Sequence, residues 1–332
     1  MQHEAFQAFV VDSTPGGPSA AYRELTLADL PEGDVLVKIQ YSSLNYKDGL
    51  AVTGQEKIIR SYPMVPGIDW AGTVVSSSSP RFQPGDEVVM TGWGAGERFW
   101  GGYAQYARTR AEWLLPLPRG LSALQAMGIG TAGLTAMLCV LALEKQGLAA
   151  DRREVIVTGA SGGVGSVAVL LLSLLGHQVT ASTGRPEASA DFLRSLGARH
   201  ILPREELARP GKPLESERWG AAVDTVGGDT LASLLSRMAY GSSIAACGLV
   251  GGSSLQTTVY PLILRGVNLL GIDSVMAPLE LREAAWSRLA ELLPKERLES
   301  LMTVLPFREL PQAAEDIVQG RTTGRIVIDV NR

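Results

Sequence analysis

The stretch VIVTGASGGVG, Val155 to Gly165, followed directly by the apolar run SVAVLLLSLLG, constrains this chain more than any other. It reads as a short buried strand, a glycine turn and a helix, in that order. Glycine at 159, 162 and 165 lets the backbone turn tightly and approach a pyrophosphate, whose charge is favoured where the free N–H groups of a helix N-terminus point outward. The spacing Gly159-x-x-Gly162-x-x-Gly165 departs from the simplest GxGxxG pattern, so the order of elements carries the reading. A glycine turn that merely packs helix on strand is the plain structural alternative.

The surrounding grammar agrees. From about Ala126 the segments EVIVTG, VAVLLLSLLG, QVTAST, ASADFLRSLG, ARHILP, AAVDTV, LASLLSRM, SSIAACG and NLLGIDS alternate strand and helix, which predicts a parallel sheet with helices on both faces. Before Leu121 the chain uses short β-like runs, VLVKIQYSS, GTVVSSS, DEVVMTGW and GGYAQYART, separated by turns such as Pro84-Gly85-Asp86. At 332 residues two domains are expected. Beyond Pro278 a helical pattern and the strand-like tail TGRIVIDV do not extend the alternation. The fold class is therefore α/β, with a dinucleotide-binding domain over 126–274 and a β-rich domain over 1–125 completed by 275–332.

Composition narrows the partners. Acids number 34 and bases 30, the net charge is −4, and no basic stripe interleaved with aromatics appears, so a small molecule is favoured over nucleic acid. The uncharged stretch from Gly120 to Leu143 is diluted by Ser122, Gln125, Gly128, Gly130 and Gly133 and reads as a buried helix, with no membrane partner expected. The N-terminus shows no signal-peptide pattern, and Cys139 and Cys247 lie far apart without disulfide-like spacing, which fits a cytoplasmic location.

The choice of cofactor turns on the end of the second strand of the alternating half. An NAD site offers Asp or Glu there to the ribose 2′-hydroxyl, whereas a 2′-phosphate wants cations and hydroxyls. This chain has Ser182, Thr183, Gly184 and Arg185 at that point, and Arg204 follows the next strand. NADPH is predicted over NADH, with Arg185 and Arg204 as charge-assisted donors.

With the glycine loop placed, SSLNYKD (Ser42 to Asp48), PGIDWAGTV, PGDEV, TGWGAGERFWGGYAQYA (Thr91 to Ala107) and GRIVIDV together resemble the zinc-free quinone oxidoreductase branch of the medium-chain dehydrogenases/reductases. Within that branch, the run from Ser42 to Val74, ACGLVGG and GIDSVM are similar to bacterial acryloyl-coenzyme A reductases. The resemblance implies a GroES-like catalytic domain, an inserted Rossmann domain and a cleft holding NADPH. It implies a homodimer formed by pairing the last Rossmann strand, around Leu269 to Ser274. By position it places Ser161, Gly162, Gly163 and Val164 of the glycine turn among the cofactor contacts and adds Tyr46, Leu249, Ile263, Ser274 and Asn331 to them. The activity implied is NADPH-dependent reduction of an α,β-unsaturated acyl thioester, acryloyl-CoA to propanoyl-CoA, with NADPH:quinone oxidoreduction as the alternative.

One departure is informative. Zinc-dependent relatives have a His-Glu pair where this chain has Ile68-Asp69, and a cysteine-rich zinc loop where it has WGAGERFWGG. The three histidines are His3, His177 and His200 and neither cysteine is in the first half, so a tetrahedral zinc site is not expected. Without a metal, hydride transfer suits an acceptor whose conjugation already spreads negative charge. Tyr46 is the candidate contact to the nicotinamide ribose or the substrate oxygen. Asn45 is a candidate donor to the developing oxyanion or a turn lock. Asp69 is left with three roles: orienting Tyr46 or Asn45, holding a water for the α-proton, or accepting backbone N–H bonds. Lys57 and Arg60, near the motif in sequence, are candidates to meet the phosphates of a coenzyme A thioester.

Overall fold

The structure, a computed structural model, describes residues 5–149, 153–208 and 211–332, so His3 lies outside the described residues. In chain order the elements are β1 (Ala5–Thr14), β2 (Gly17–Thr26), β3 (Val35–Leu44), α1 (Tyr46–Thr53), β4 (Asp69–Ser77), β5 (Glu87–Thr91), β6 (Tyr106–Thr109), β7 (Leu114–Pro116) and α2 (Ala123–Lys145). There follow β8 (Val155–Val157), α3 (Gly163–Leu174), β9 (Val179–Thr183), α4 (Pro186–Ser195), β10 (Ala198–Pro203), β11 (Trp219–Asp224), α5 (Gly228–Arg237), β12 (Met238–Ala246), α6 (Tyr260–Arg265) and β13 (Asn268–Gly271). The chain ends with α7 (Leu279–Leu292), α8 (Lys295–Ser300), β14 (Met302–Pro306), α9 (Leu310–Val318) and β15 (Arg325–Asp329). Two compact units result: 1–131 with 275–290 and 294–332, and 132–274 with 291–293. The first passage between them falls after Thr131 rather than after Gln125.

The first unit is built on a sheet of order β14-β15-β3-β4-β5-β7, with β6 also paired to β3. Along β3, Val35, Val37 and Ile39 recur at the period-two spacing of a strand and enter one core with Trp70, Leu114, Phe307 and Ile328. All five residues of β15 are buried. β15 runs antiparallel to β3 with Ile326 opposite Leu44, and β4 lies on the other side of β3 with Trp70 opposite Ser42. The tail of the chain is thereby brought level with the SSLNYKD motif and with the first residue of β4, Asp69.

The second unit is a parallel sheet of order β10-β9-β8-β11-β12-β13. Val155, Ile156 and Val157 of β8 are fully buried, as the continuous apolar run of a parallel strand covered on both faces requires. The order reverses direction between β8 and β11. Ligands of such sheets bind beyond the carboxyl ends of the strands at that switch point.

The helix α2 is long and apolar enough to cross a membrane by length and composition, but 89% of its most apolar window is buried inside the protein, which makes it a core helix. It breaks at Gly130, where φ is 52° and ψ is −160°. The two cysteines, distant in sequence, meet in the second unit. Both are free, and the Cys247 thiol beside Cys139, together with burial, pushes the Cys139 thiol well above its ordinary value.

Candidate active site

Asp69 opens β4 completely buried. Its Oδ1 accepts from the Ser43 backbone N–H at 3.2 Å and from Ser43 Oγ at 2.7 Å; its Oδ2 accepts from Asn45 Nδ2 at 3.1 Å and from the Thr131 backbone N–H at 2.7 Å. Four donors fill the four lone-pair directions of a carboxylate. The fourth donor is available because α2 breaks at Gly130, which frees the Thr131 N–H from helical bonding. The same break turns carbonyls toward Arg325, whose Nε donates to Gly128 O at 3.0 Å. Arg325 Nη1 donates to Asn45 Oδ1 at 3.2 Å and Nη2 to Ser43 Oγ at 2.8 Å. Arg325 and Asp69 are thus joined through the Ser43 hydroxyl and the Asn45 amide, each of which takes from the cation and gives to the anion.

A second carboxylate lies alongside. Asp48, on the first turn of α1, accepts from Asn45 N at 2.9 Å, Asn45 Nδ2 at 3.1 Å and Ile68 N at 2.9 Å. Burial and then the negative charge of Asp69 push its pKa up to about 7, against the pull of those N–H bonds. Tyr103 donates to Ser43 O at 3.1 Å, and burial next to both carboxylates raises its phenol well above the ordinary value. Arg325, buried, is lowered by desolvation while Asp69, Asp48 and Tyr103 pull it back up. Two carboxyl groups and one guanidinium are therefore buried in a single cluster.

Every side-chain donor of Asn45 is directed at an acceptor of this cluster, Ser43 Oγ at 3.2 Å included. These bonds tie Asn45 to Ser43, Asp48 and Asp69 at the start of α1. Asp69 likewise accepts backbone N–H groups and holds Asn45. Tyr46, half-buried at the start of α1, differs from both: among the described residues its hydroxyl makes no hydrogen bond. The sequence reading missed Ser43, Tyr103 and Arg325, although an arginine opening the fully buried strand RIVID was a visible signal for an internal counter-ion.

In the second unit the candidate cofactor residues gather at the carboxyl ends of β8, β9 and β10. Gly162 caps α3, leaving the first-turn N–H groups of Gly163, Val164 and Gly165 without intrahelical partners. Gly165 must be glycine, since a Cβ there would collide with Gly159 O. Ser161 Oγ lies 3.1 Å from Thr183 Oγ1, which accepts from Arg185 N at 3.2 Å. A Cβ on Gly184 would come 3.0 Å from the Arg204 guanidinium carbon, so that cation lies directly against the Gly184 backbone. Thr183, Gly184, Arg185 and Arg204 thus form one group, and no carboxylate ends β9. This donor set fits a dinucleotide carrying a 2′-phosphate.

The remaining expected contacts are dispersed. Leu249 and Ile263 are 63% and 69% exposed. Ser274 is buried and accepts from Thr135 Oγ1 at 2.7 Å. Asn331 sits in the first unit, with its amide donated to Ile39 O and Gln40 O, both at 3.1 Å.

Among the described residues no group of three or more His, Cys, Asp and Glu could hold a metal ion. His200 instead pairs with Glu154 at 3.0 Å.

Residues 31–119 match the model of the alcohol dehydrogenase GroES-like domain, and residues 163–291 match that of the zinc-binding dehydrogenases. The chain is 54% identical over 329 residues to acrylyl-CoA reductase AcuI of Ruegeria pomeroyi, covering 98% of this chain and 99% of that one. A crystal structure of Escherichia coli K-12 YHDH with bound NADPH superposes with a TM-score of 0.95 at 51% identity, over 98% of this chain and 100% of that one. Bacillus subtilis yhfP, solved with NAD bound, gives 0.94 at 45% identity over 98% and 99%. Full-length identity of this order, with a GroES-like β-rich unit and a Rossmann-type unit, establishes that the chain belongs to the zinc-independent quinone-oxidoreductase branch of the medium-chain dehydrogenases/reductases.

Proposed function

We propose that the protein reduces a short α,β-unsaturated acyl thioester of coenzyme A, acryloyl-CoA to propanoyl-CoA, with NADPH and without zinc. The observation that carries this reading is the end-to-end 54% identity with acrylyl-CoA reductase AcuI. The group at Thr183, Gly184, Arg185 and Arg204 supports NADPH over NADH, because cations and hydroxyls stand where an NAD site would place a carboxylate. The relative solved with NAD makes this a point to measure.

When bound, the nicotinamide supplies the hydride for the β-carbon of the enoyl group. The N–H groups at the start of α3, with Ser161 to Val164, hold the pyrophosphate, and Arg185 and Arg204 hold the 2′-phosphate. Leu249, Ile263, Ser274 and Asn331 complete the cofactor contacts. The Tyr46 phenol would donate a hydrogen bond either to the nicotinamide ribose, fixing the cofactor, or to the substrate oxygen, where it would steady the developing enolate. Asp69 and Asn45 are positioning residues: they fix the strand end and first helical turn from which Tyr46 projects. Orientation held this rigidly is the main contribution a metal-free hydride transfer asks of the protein.

A homodimer formed along β13 completes the reading. β13 is an edge strand, and Tyr240 and Leu264, at 77% and 57% exposure, leave apolar surface near it for a second copy. Two free cysteines fit a reducing cytoplasm.

The test is NADPH oxidation by purified protein offered acryloyl-CoA, crotonyl-CoA and 1,4-benzoquinone side by side. The expected order puts acryloyl-CoA first in kcat/KM. A strong preference for the quinone overturns the substrate assignment.

A further inference from the structure

The loop from Thr91 to Phe99, TGWGAGERF, is organised around a carboxylate. Glu97 receives Lys47 Nζ at 2.6 Å, Arg60 Nε at 3.6 Å and Arg98 Nε at 3.7 Å. Its side chain is only 12% exposed, whereas those of Arg60 and Arg98 are 58% and 69% exposed. Partial burial pushes the Glu97 pKa up, but the bond from Lys47 and the three cations more than offset this and keep the carboxyl below its ordinary value. One negative charge is set against three positive ones. As a stabilising device this is a poor arrangement, since exposed pairs contribute little and the cations repel one another.

The frame that holds these charges is stiff. Arg60 N donates to Glu97 O at 2.9 Å, Arg98 N and Phe99 N donate to Gly94 O at 2.8 and 3.1 Å, and Gly96 N donates to Phe99 O at 2.7 Å. Trp93, at a left-handed φ of 55°, donates its N–H to Val275 O at 3.0 Å and lies under the guanidinium of Arg282, 4.4 Å from the ring centre. A backbone fixed in this way keeps the three bases on one carboxylate. Lys47 is also the residue after Tyr46, so the charge begins one position along α1 from the proposed contact to the reacting groups.

We propose that Lys47, Arg60 and Arg98, gathered on Glu97, form the subsite for the phosphate groups of the coenzyme A handle of the substrate. The inference rests on the thioester reading above and deepens it. The uncompensated charge suits a ligand with several phosphate oxygens. A quinone carries no phosphate and would make no use of this charge.

The experiment is isothermal titration calorimetry of free coenzyme A and of pantetheine, which lacks the nucleotide and its phosphates, onto protein saturated with NADP+. The wild-type protein is expected to bind coenzyme A roughly tenfold or more tighter than pantetheine, with the preference shrinking as salt rises. In R60Q/R98Q that preference is expected to fall by roughly tenfold. Equal wild-type affinity for the two ligands, or an undiminished preference in the double variant, overturns the proposal. If the double variant does not fold, R98Q alone, at the more exposed position, is read against the same criterion at about half the effect in free energy. Turnover separates the two readings. A wild-type protein that reduces 1,4-benzoquinone but not acryloyl-CoA refutes the thioester assignment, whereas acryloyl-CoA reduction with a KM unchanged in R60Q/R98Q refutes the phosphate subsite alone.

Discussion

Gly130→Ala probes the construction of the site most directly. At φ 52° and ψ −160° the residue occupies a region open essentially to glycine alone, and a side chain there costs about 1–3 kcal/mol in backbone strain. The added Cβ would also lie 2.7 Å from Arg325 Nη2, 2.8 Å from Asp69 Oδ2 and 2.9 Å from Ser43 Oγ. None of these is a free tip that can swing aside, since all three are buried and hydrogen-bonded. Relief requires breaking the Thr131 N–H bond to Asp69 or the Arg325 bond to Ser43, and disrupting one partner of a buried charged arrangement costs about 3–5 kcal/mol. The two penalties share one relaxation, so a combined loss of about 4–6 kcal/mol is expected. Gly120 supplies the control: its φ is 88°, but nothing lies within 4 Å of its Cβ, so Gly120→Ala should cost only about 1–2 kcal/mol. Because the chain has two units, urea unfolding should be paired with hydrogen exchange on peptides covering 41–48, 66–72 and 325–330. Equal stability losses at the two glycines, with unchanged exchange in those peptides, would refute this account of how the cluster is held.

Three further outcomes follow from the same geometry. Asp48, whose pKa of about 7 exceeds that of an unfolded aspartate, keeps a proton that the unfolded chain releases near pH 4; its contribution is full below that pH and is lost as pH rises through 7. Urea midpoints between pH 4.5 and 8 should fall more in the wild type than in Asp48→Asn, and parallel slopes would contradict the assignment. Asp69→Asn places an amide donor against donors from Ser43, Asn45 and Thr131 and should lower stability by about 3–5 kcal/mol; an unchanged melting temperature with a large drop in kcat would make Asp69 a catalytic group after all. Tyr46→Phe should leave the melting temperature in place while reducing kcat/KM or NADPH affinity by roughly tenfold, and Arg185→Ala should weaken NADPH far more than NADH; loss of neither function in the first, or equal losses in the second, would remove those roles.

Much of this was readable in the sequence, for identifiable reasons. The Rossmann-type unit announces itself because β8, the glycine turn and α3 are contiguous, so strand, phosphate contacts and helix occupy one short window. The group at Thr183, Gly184, Arg185 and Arg204 is nearly as accessible, because consecutive parallel strands end on the same edge and place successive loops side by side. The cluster around Asp69 is not local in this sense. Ser43, Asp69, Thr131 and Arg325 come from four distant segments, joined by the antiparallel registers of β15 on β3 and β3 on β4 and by a break in α2. Its decisive donor is a backbone N–H, which has no residue type to recognise. Gly130 read only as a residue that dilutes an apolar helix, when its role is to vacate the space that Arg325, Asp69 and Ser43 fill. The two cysteines were separated by the same limitation, since β12 and α2 bring them together only after the sheet has formed.

The cluster also explains how a carboxylate survives at a completely buried position. A buried aspartate without partners would be strongly destabilising, and the usual remedies are protonation or replacement by an apolar residue. Here a cation is supplied from the opposite end of the chain, but it does not touch Asp69 directly; Ser43 and Asn45 stand between them and are held by both. That arrangement converts an electrostatic requirement into a geometric one. The strand carrying Ser43, the helix start at Asn45 and the tail at Arg325 can satisfy the charges only in one mutual placement, and Tyr46 is the next residue along the chain. A buried polar network of this kind is a poor source of net stability compared with a packed apolar core, but it penalises every alternative placement severely. The network therefore fixes the strand end and the helix start that lead into Tyr46, which is what the proposed contact from Tyr46 requires of the fold.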